Sequence, residues 1–337
     1  MSQVSPKSLP PLDRRTLLKL GLGSLVVAGG WGGYYWARQR SPTPSVHIPP
    51  LPTGLPNAGN GVNPLQVARE FHYGTVKQEN GRTVREFEII ARSTAIQLNN
   101  AVSYMTWNYN GRVPGPTLRA REGERVRVLF LNQSGHAHTM HFHGFHPANM
   151  DGIRPVTNGT ATIYEFDATP YGVHLYHCHV APITRHVGKG MYGMFIIDPK
   201  DDRPPADELV LVMSGYDVND DQRNELYAFN GLPHYLMEHP IPIYQNQLVR
   251  LYLLNAVEFD PALTFHIHAN FFRVYPTGMT LKPSHESDVI TMGMAERHIL
   301  EFAYPYPGKY MFHPHQDAIA EAGCMGFFDV LPEANRT

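Results

Sequence analysis

The sequence predicts an all-β protein built from two β-sandwich domains of one kind, placed in tandem. Three observations carry that expectation. From about Arg69 the chain runs in short alternating stretches punctuated by Gly, Pro and Asn, the pattern of strands joined by turns. Long segments of 3.6-residue period are lacking. The third observation is an internal repeat. Asn110-Gly111 recurs as Asn230-Gly231, and Val126-Arg127-Val128-Leu129-Phe130-Leu131-Asn132 as Val249-Arg250-Leu251-Tyr252-Leu253-Leu254-Asn255. His141-Phe142-His143 recurs as His266-Ile267-His268, and Ile163-Tyr164-Glu165-Phe166 as Ile299-Leu300-Glu301-Phe302. Gly172 precedes His177-Cys178-His179 as Gly308 precedes His313-Pro314-His315.

Length and composition agree with two domains. The chain has 337 residues, 42% hydrophobic and 17% charged, so each half can bury a core. A formal net charge of −2 carries no polyelectrolyte signature, and nucleic-acid binding is not expected. Nineteen histidines are present, many of them in His-x-His pairs. The two cysteines are Cys178 and Cys324. A disulfide between them in an exported protein would leave the histidines flanking Cys178 unexplained.

Residues 1–40 have the features of a targeting segment. Asp13-Arg14-Arg15-Thr16-Leu17-Leu18-Lys19 precedes a short apolar run from Leu20 to Ala28. Such a run is too short to span a bilayer comfortably and suits a signal peptide. The paired arginines resemble a twin-arginine export signal, a route that carries folded proteins. The protein is therefore expected to be periplasmic or otherwise extracytoplasmic. No small-x-small cleavage site stands out before Trp36-Ala37-Arg38, so both a released and a membrane-tethered product fit. Residues 41–68, with Pro42, Pro44, Pro49, Pro50, Pro52 and Pro56, read as a semi-extended linker. The two domains are expected at 69–200 and 201–337.

The chemistry centres on Tyr176-His177-Cys178-His179. In an extended segment His177 and His179 leave one face and Cys178 the other, which serves two metal sites back to back. His186 and Met191 follow Cys178 at loop spacing, and His138 stands before the first His-x-His pair. A thiolate, two imidazoles and a thioether form the ligand set of a blue-copper electron-transfer site. Zinc takes histidines as well, but a closed zinc site does not need the Cys178, His186, Met191 set.

With its four His-x-His motifs in matching positions over roughly residues 69–332, the sequence resembles a two-domain multicopper oxidase of the laccase-like kind. The resemblance implies two cupredoxin-like Greek-key β-sandwiches and four coppers per chain: one type 1, one type 2 and two type 3. It implies His138, Cys178, His186 and Met191 as type 1 ligands, and His141 and His266 as type 2 ligands. His143, His177, His179, His268, His313 and His315 match the type 3 ligands. The implied activity is one-electron oxidation of a reducing substrate, coupled to four-electron reduction of O2 to water. Phenols, aromatic amines and Cu(I) are the reductants such enzymes use. Asp151, before Gly152, matches the family's proton-relay aspartate, although a carboxylate before glycine is also common in turns. Asp317 and Glu321 are further acidic candidates.

The second half departs from the first. Leu263 stands where His138 would be, Pro314 replaces the cysteine, and Cys324 takes the place of Met191 in the shared Gly-x-x-Gly frame. A single type 1 site, in the first domain, is expected. Because relatives form the trinuclear cluster between non-consecutive domains, the resemblance implies a homotrimer with clusters at the subunit interfaces. The alternative reading is a copper-containing nitrite reductase, which shares the trimer and the type 1 site. In that family an aspartate stands near His141, and a non-ligand follows the cysteine where this chain has His179.

Overall fold

The computed structural model describes residues 46–50 and 63–333. The export segment, and most of the stretch read as a linker, lie outside the described residues. Four sheets carry the fold, and helix among the described residues is confined to short segments of at most six residues.

The first two sheets come from residues 75–198. One orders Thr75–Glu79, Arg82–Gln97, Arg125–Asn132 and Ala161–Asp167, with Ser103–Tyr109 also paired to Arg82–Gln97. The other orders Leu118–Arg121, Tyr192–Asp198, Gly172–His177 and His141–Phe142. Residues 207–331 supply the remaining pair. One sheet orders Leu226–Phe229, Asp207–Tyr216, Val249–Asn255, Arg297–Phe302, Phe272–Pro276 and His285–Ser287. Its companion orders Ile241–Tyr244, Gly326–Leu331, Gly308–His313, Ala262–Ile267 and Val289–Gly293.

The repeat read from sequence is a repeat of strand register. Val126 pairs with Phe166 as Val249 pairs with Phe302. His141 pairs with His177 as His266 pairs with His313. Each half also uses parallel neighbours in the same places, Val84 with Arg125 and Asp207 with Val249.

Alternation decides what each strand buries. In Arg125–Asn132 every second side chain, Val126, Val128 and Phe130, enters a core shared with Phe142, Tyr164, Phe166, Tyr176, Cys178, Met191 and Phe195. Gly172–His177 is buried on both faces, as expected of a strand covered on both sides. Tyr176 and then Cys178 face that core. Val173 and Leu175 face the other way, into a seam with Val210, Val212, Tyr252, Leu254 and Ile299 of the second half. Across the seam Arg119 bridges Asp198 at 2.8 Å and Glu208 at 2.7 Å, and the Tyr252 hydroxyl donates to Glu208 at 2.7 Å.

One segment differs from its sequence reading. Pro64–Arg69 is a helix rather than an extended linker. Asn63 caps it by accepting from the Leu65 and Gln66 amides, and Pro64 occupies the first turn, where a missing N–H costs nothing. Leu65 and Ala68 insert into the second half's core, and Arg69 pairs with Asp207. Six residues are too few for periodicity to show, and burial by a distant partner decides the outcome.

Candidate metal centres

Three ligand atoms converge inside the first half. His138 is held by a two-way backbone bridge to Val156. Cys178 follows the strand Gly172–His177 and donates its N–H to the Met191 carbonyl at 3.0 Å. The helix Ile183–Gly188 delivers His186. His138 Nδ1 and His186 Nδ1 lie 3.1 Å apart, and Cys178 Sγ is 3.7 Å from the first and 3.2 Å from the second. His138 and Cys178 are both 0% exposed. Met191 is buried in the same core as Cys178.

The electrostatics of this group suit a soft cation. Burial, then the neighbouring His186 and His136, push His138 down to about 3, and burial pushes His186 down to about 4. Both rings are neutral at pH 7, with lone pairs free. Burial raises the Cys178 thiol, so a thiolate there needs a bound cation. Trp107 packs against both rings, at 5.5 Å from His138 and 4.8 Å from His186, and the exposed His136 lies tilted against it at 4.6 Å. No sequence signal marked Trp107, because the contact joins distant strands.

On the opposite face, four histidines gather at the first half's edge. His141 and His177 each make ring contact with one another and with both His143 and His179. His143 Nε2 and His177 Nε2 lie 3.2 Å apart. His141 donates Nδ1–H to the Asp151 carbonyl at 2.8 Å, and His177 donates Nδ1–H to the Cys178 carbonyl at 2.9 Å. Each of these bonds fixes the tautomer and leaves Nε2 as the lone-pair face.

The second half repeats the arrangement. His268 Nε2 and His313 Nε2 are 3.0 Å apart. His266 donates Nδ1–H to the Asp288 carbonyl at 2.7 Å, and His313 to the Pro314 carbonyl at 2.7 Å. His315 completes the quartet, 4.6 Å from His266 by ring centroid. The hydroxyls of Thr139 and Thr264 accept from the His179 and His315 amides, at 2.9 Å and 2.6 Å. Among the described residues no ring contact joins one quartet to the other, and the possible metal-holding groups fall separately in each.

The residues fit copper. Two imidazole nitrogens about 2.0 Å from one ion at a tetrahedral angle would stand about 3.3 Å apart, close to both Nε2 pairs. Burial pushes His143 down to about 3 and His177 down to about 4, and it lowers His268 and His313. All-imidazole quartets beside a Cys, His, His set favour copper over harder cations. In metal-free protein these depressed histidines stabilise the fold above their unfolded pKa near 6.5. That stabilisation is lost as pH falls from there towards 3–4. Denaturation midpoints of metal-free protein are expected to drop steeply across that window, and a flat profile from pH 7 to 4 would contradict the burial.

Asp151 stands beside the first quartet, with a carboxylate oxygen 3.2 Å from His141 Nδ1 and 3.6 Å from His146 Nε2. The turn demands Gly152, whose φ is +73° and where a Cβ would meet the Met140 carbonyl at 2.1 Å. Asp288 is its twin, with a carboxylate oxygen 3.8 Å from His266 Nδ1. Sequence reasoning missed Asp288 because the spacings differ: ten residues from His141 to Asp151 (151 − 141), twenty-two from His266 to Asp288 (288 − 266). Asp317 and Glu321 lie on the exposed helix after His315. His174 is buried, donating Nε2–H to the Pro170 carbonyl at 2.8 Å.

The second half has no counterpart of the mononuclear site. Leu263 is fully buried, and Pro314 and Cys324 stand in their places. The Cys324 amide donates to the Ile319 carbonyl at 3.3 Å as the Met191 amide donates to the His186 carbonyl at 3.2 Å. Ile319 thus occupies the position of His186. Burial holds the Cys324 thiol far above its usual range.

Two family models, both described as multicopper oxidase, match residues 91–202 and 202–334. A solved multicopper oxidase structure shares 46% identity, covers 82% of this chain and 100% of its own, and superposes with a TM-score of 0.81. The copper nitrite reductase from Nitrosomonas europaea shares 26% identity over 74% of this chain and 94% of its own, with a TM-score of 0.67. The copper-containing nitrite reductase of Neisseria gonorrhoeae is 28% identical over 246 residues, covering 65% of this chain and 61% of that protein. The chain thus spans about three-fifths of the length of the curated nitrite reductases it matches.

Proposed function

The chain belongs to the multicopper oxidase family, and from that premise we propose a laccase-like oxidase that couples one-electron oxidation of a small reductant to four-electron reduction of O2. The observation that carries this reading is the pair of complete histidine quartets. A nitrite reductase needs only one type 2 copper between its subunits, and it would leave most of the eight imidazoles without a task. Bound at these ligands, copper would supply one site that accepts single electrons and a cluster that stores enough of them to reduce O2 fully.

The chain's own residues divide the work. Cys178, His138, His186 and Met191 would hold the type 1 ion. His141 and His266 would hold the type 2 ion, and the other six quartet histidines the type 3 pair. Cys178 joins the two regions: its side chain faces the mononuclear group, while its carbonyl accepts from His177 at 2.9 Å. An electron thus has a short covalent and hydrogen-bonded route. Asp151, placed against His141 and His146, is positioned to hand protons to the first quartet. Asp151→Asn is expected to lower turnover about a hundredfold while the blue absorbance stays. Unchanged turnover would remove it from the proton route.

Because the two quartets of one chain do not meet, the reading calls for a second copy to complete each cluster, in a closed homotrimer. Large exposed aromatic side chains follow each quartet closely in the chain, Phe145 (69% exposed) two residues after His143 and Phe271 (65% exposed) three residues after His268, as an interface would require. Export by the Arg14-Arg15 segment places the enzyme outside the cytoplasm. Light scattering is expected to give about three times the 38.0 kDa chain mass; a monomer with full copper content would contradict the shared cluster. Copper analysis is expected to give about four ions per chain, against about two for a nitrite reductase.

A further inference from the structure

Arg297 reaches out of the second half and into the first. It opens the strand Arg297–Phe302, and its Nε–H donates to the Val173 carbonyl at 3.0 Å. The Val173 amide donates to the Thr277 carbonyl at 2.7 Å, and the Thr277 amide returns to the Arg297 carbonyl at 3.0 Å. Three bonds thus close a ring across the seam. The ring grips the start of Gly172–His177, the strand that ends on a quartet histidine. Further along it, the Leu175 carbonyl accepts from the His143 amide at 2.8 Å, so one strand seats both His143 and His177. Only glycine fits where the halves touch: φ at Gly172 is +138°, and a Cβ there would stand 2.7 Å from the Thr277 carbonyl.

The Arg297 guanidinium is half-buried and makes no ion pair among the described residues. The adjacent Glu296 is turned elsewhere, 3.2 Å from His298 Nε2 and accepting from the Gly293 amide at 2.7 Å. Burial lowers the guanidinium from its ordinary value, yet arginine keeps its proton in such surroundings. A charge without a counterion in a seam costs stability. The first-half rings within its field offer none. Burial, then the charges of His177 and Arg297, lower His143, and burial together with Arg297 lowers His174. His174 Nδ1 is itself a buried acceptor with no partner. Nor does the repeat account for this arginine, because Ala161 precedes Ile163 where Arg297 precedes Ile299. Lys309, which follows Gly308 as Val173 follows Gly172, is exposed.

We propose that Arg297 is a positioning residue for the first quartet: it locks the strand of His177 to the second half and sets a fixed positive charge on the His143 side of the copper cluster, favouring anionic ligands there. The proposal deepens the function given above and rests on its cluster. Both halves of one chain then act on the same cluster, the first through ligands and the second through this cation. A charge held in partly desolvated surroundings attracts an anion more strongly than the same charge in water. Oxygen gains negative charge as electrons reach it, and a fixed cation beside the cluster offsets that charge without rearranging.

The charge is tested by titrating copper-loaded wild type, Arg297→Met and Arg297→Lys with azide while absorbance is followed. Arg297→Met removes both charge and clamp, and is expected to raise the azide dissociation constant about tenfold. Arg297→Lys keeps the charge and should stay within about threefold of wild type. The clamp is read without copper, by hydrogen–deuterium exchange of peptides spanning residues 172–177. Exchange there is expected to quicken about tenfold in both variants. Arg297→Gln takes the place of the methionine variant if that one does not fold. Equal azide affinity in all three proteins, or equal losses in both variants, would overturn the charge. Unchanged exchange would overturn the clamp, and either result overturns the proposal. A wild type that binds no azide would refute the cluster, and with it the oxidase reading and the charge effect; exchange would still decide the clamp.

Discussion

Cys178→Ser is expected to abolish the blue absorbance and to lower turnover with any reductant by on the order of a thousandfold or more. The substitution removes the thiolate beside His138 and His186, but it nearly keeps the side-chain volume and leaves the backbone bond to Met191. The two quartets remain intact, so copper bound there should be retained and only the single-electron acceptor lost. The comparison is made by absorbance, copper content and steady-state oxygen uptake on wild type and variant side by side. A blue band surviving in the variant would mean that Cys178 is not a ligand, and the back-to-back arrangement would fall with it.

The second large effect concerns the split cluster. His143→Ala and His268→Ala are each expected to eliminate oxygen reduction while preserving the blue band, because each disables one quartet of every shared cluster. Chains carrying the two substitutions, co-expressed and purified together, should regain activity. An interface that joins the first half of an H268A chain to the second half of an H143A chain holds two intact quartets. Random mixing in a ring makes about one interface in four of that kind, so about a quarter of wild-type activity should return. No recovery in mixed trimers would show that the quartets serve separate sites or act within one chain.

Much of this was legible in the sequence because the two halves solve the same packing problem twice. His141 opposite His177, and His266 opposite His313, force matching His-x-His motifs at matching distances from matching strands. Strand alternation alone separated Cys178 from His177 and His179, since neighbouring side chains leave opposite faces. The substitutions at Leu263 and Pro314 were readable for the same reason. What escaped were features set by contacts between distant segments. Asp288 lies beside His266 only after two intervening strands, so its spacing matches nothing in the first half. Ile319 became the counterpart of His186 only once its carbonyl was seen to accept from Cys324. Pro64–Arg69 reads as linker until Leu65 and Ala68 meet the second half's core. Trp107 and Arg297 have no local pattern at all.

The proposed oxidase passes electrons to oxygen four at a time. The most direct measurement is the number of reductant molecules oxidised per O2 consumed, with peroxide assayed alongside and nitrite offered to the reduced enzyme without oxygen. A four-electron oxidase gives a ratio of about four, no accumulating peroxide, and no nitric oxide from nitrite. Nitric oxide released at a rate matching reductant oxidation, from protein holding about two coppers per chain, would contradict it.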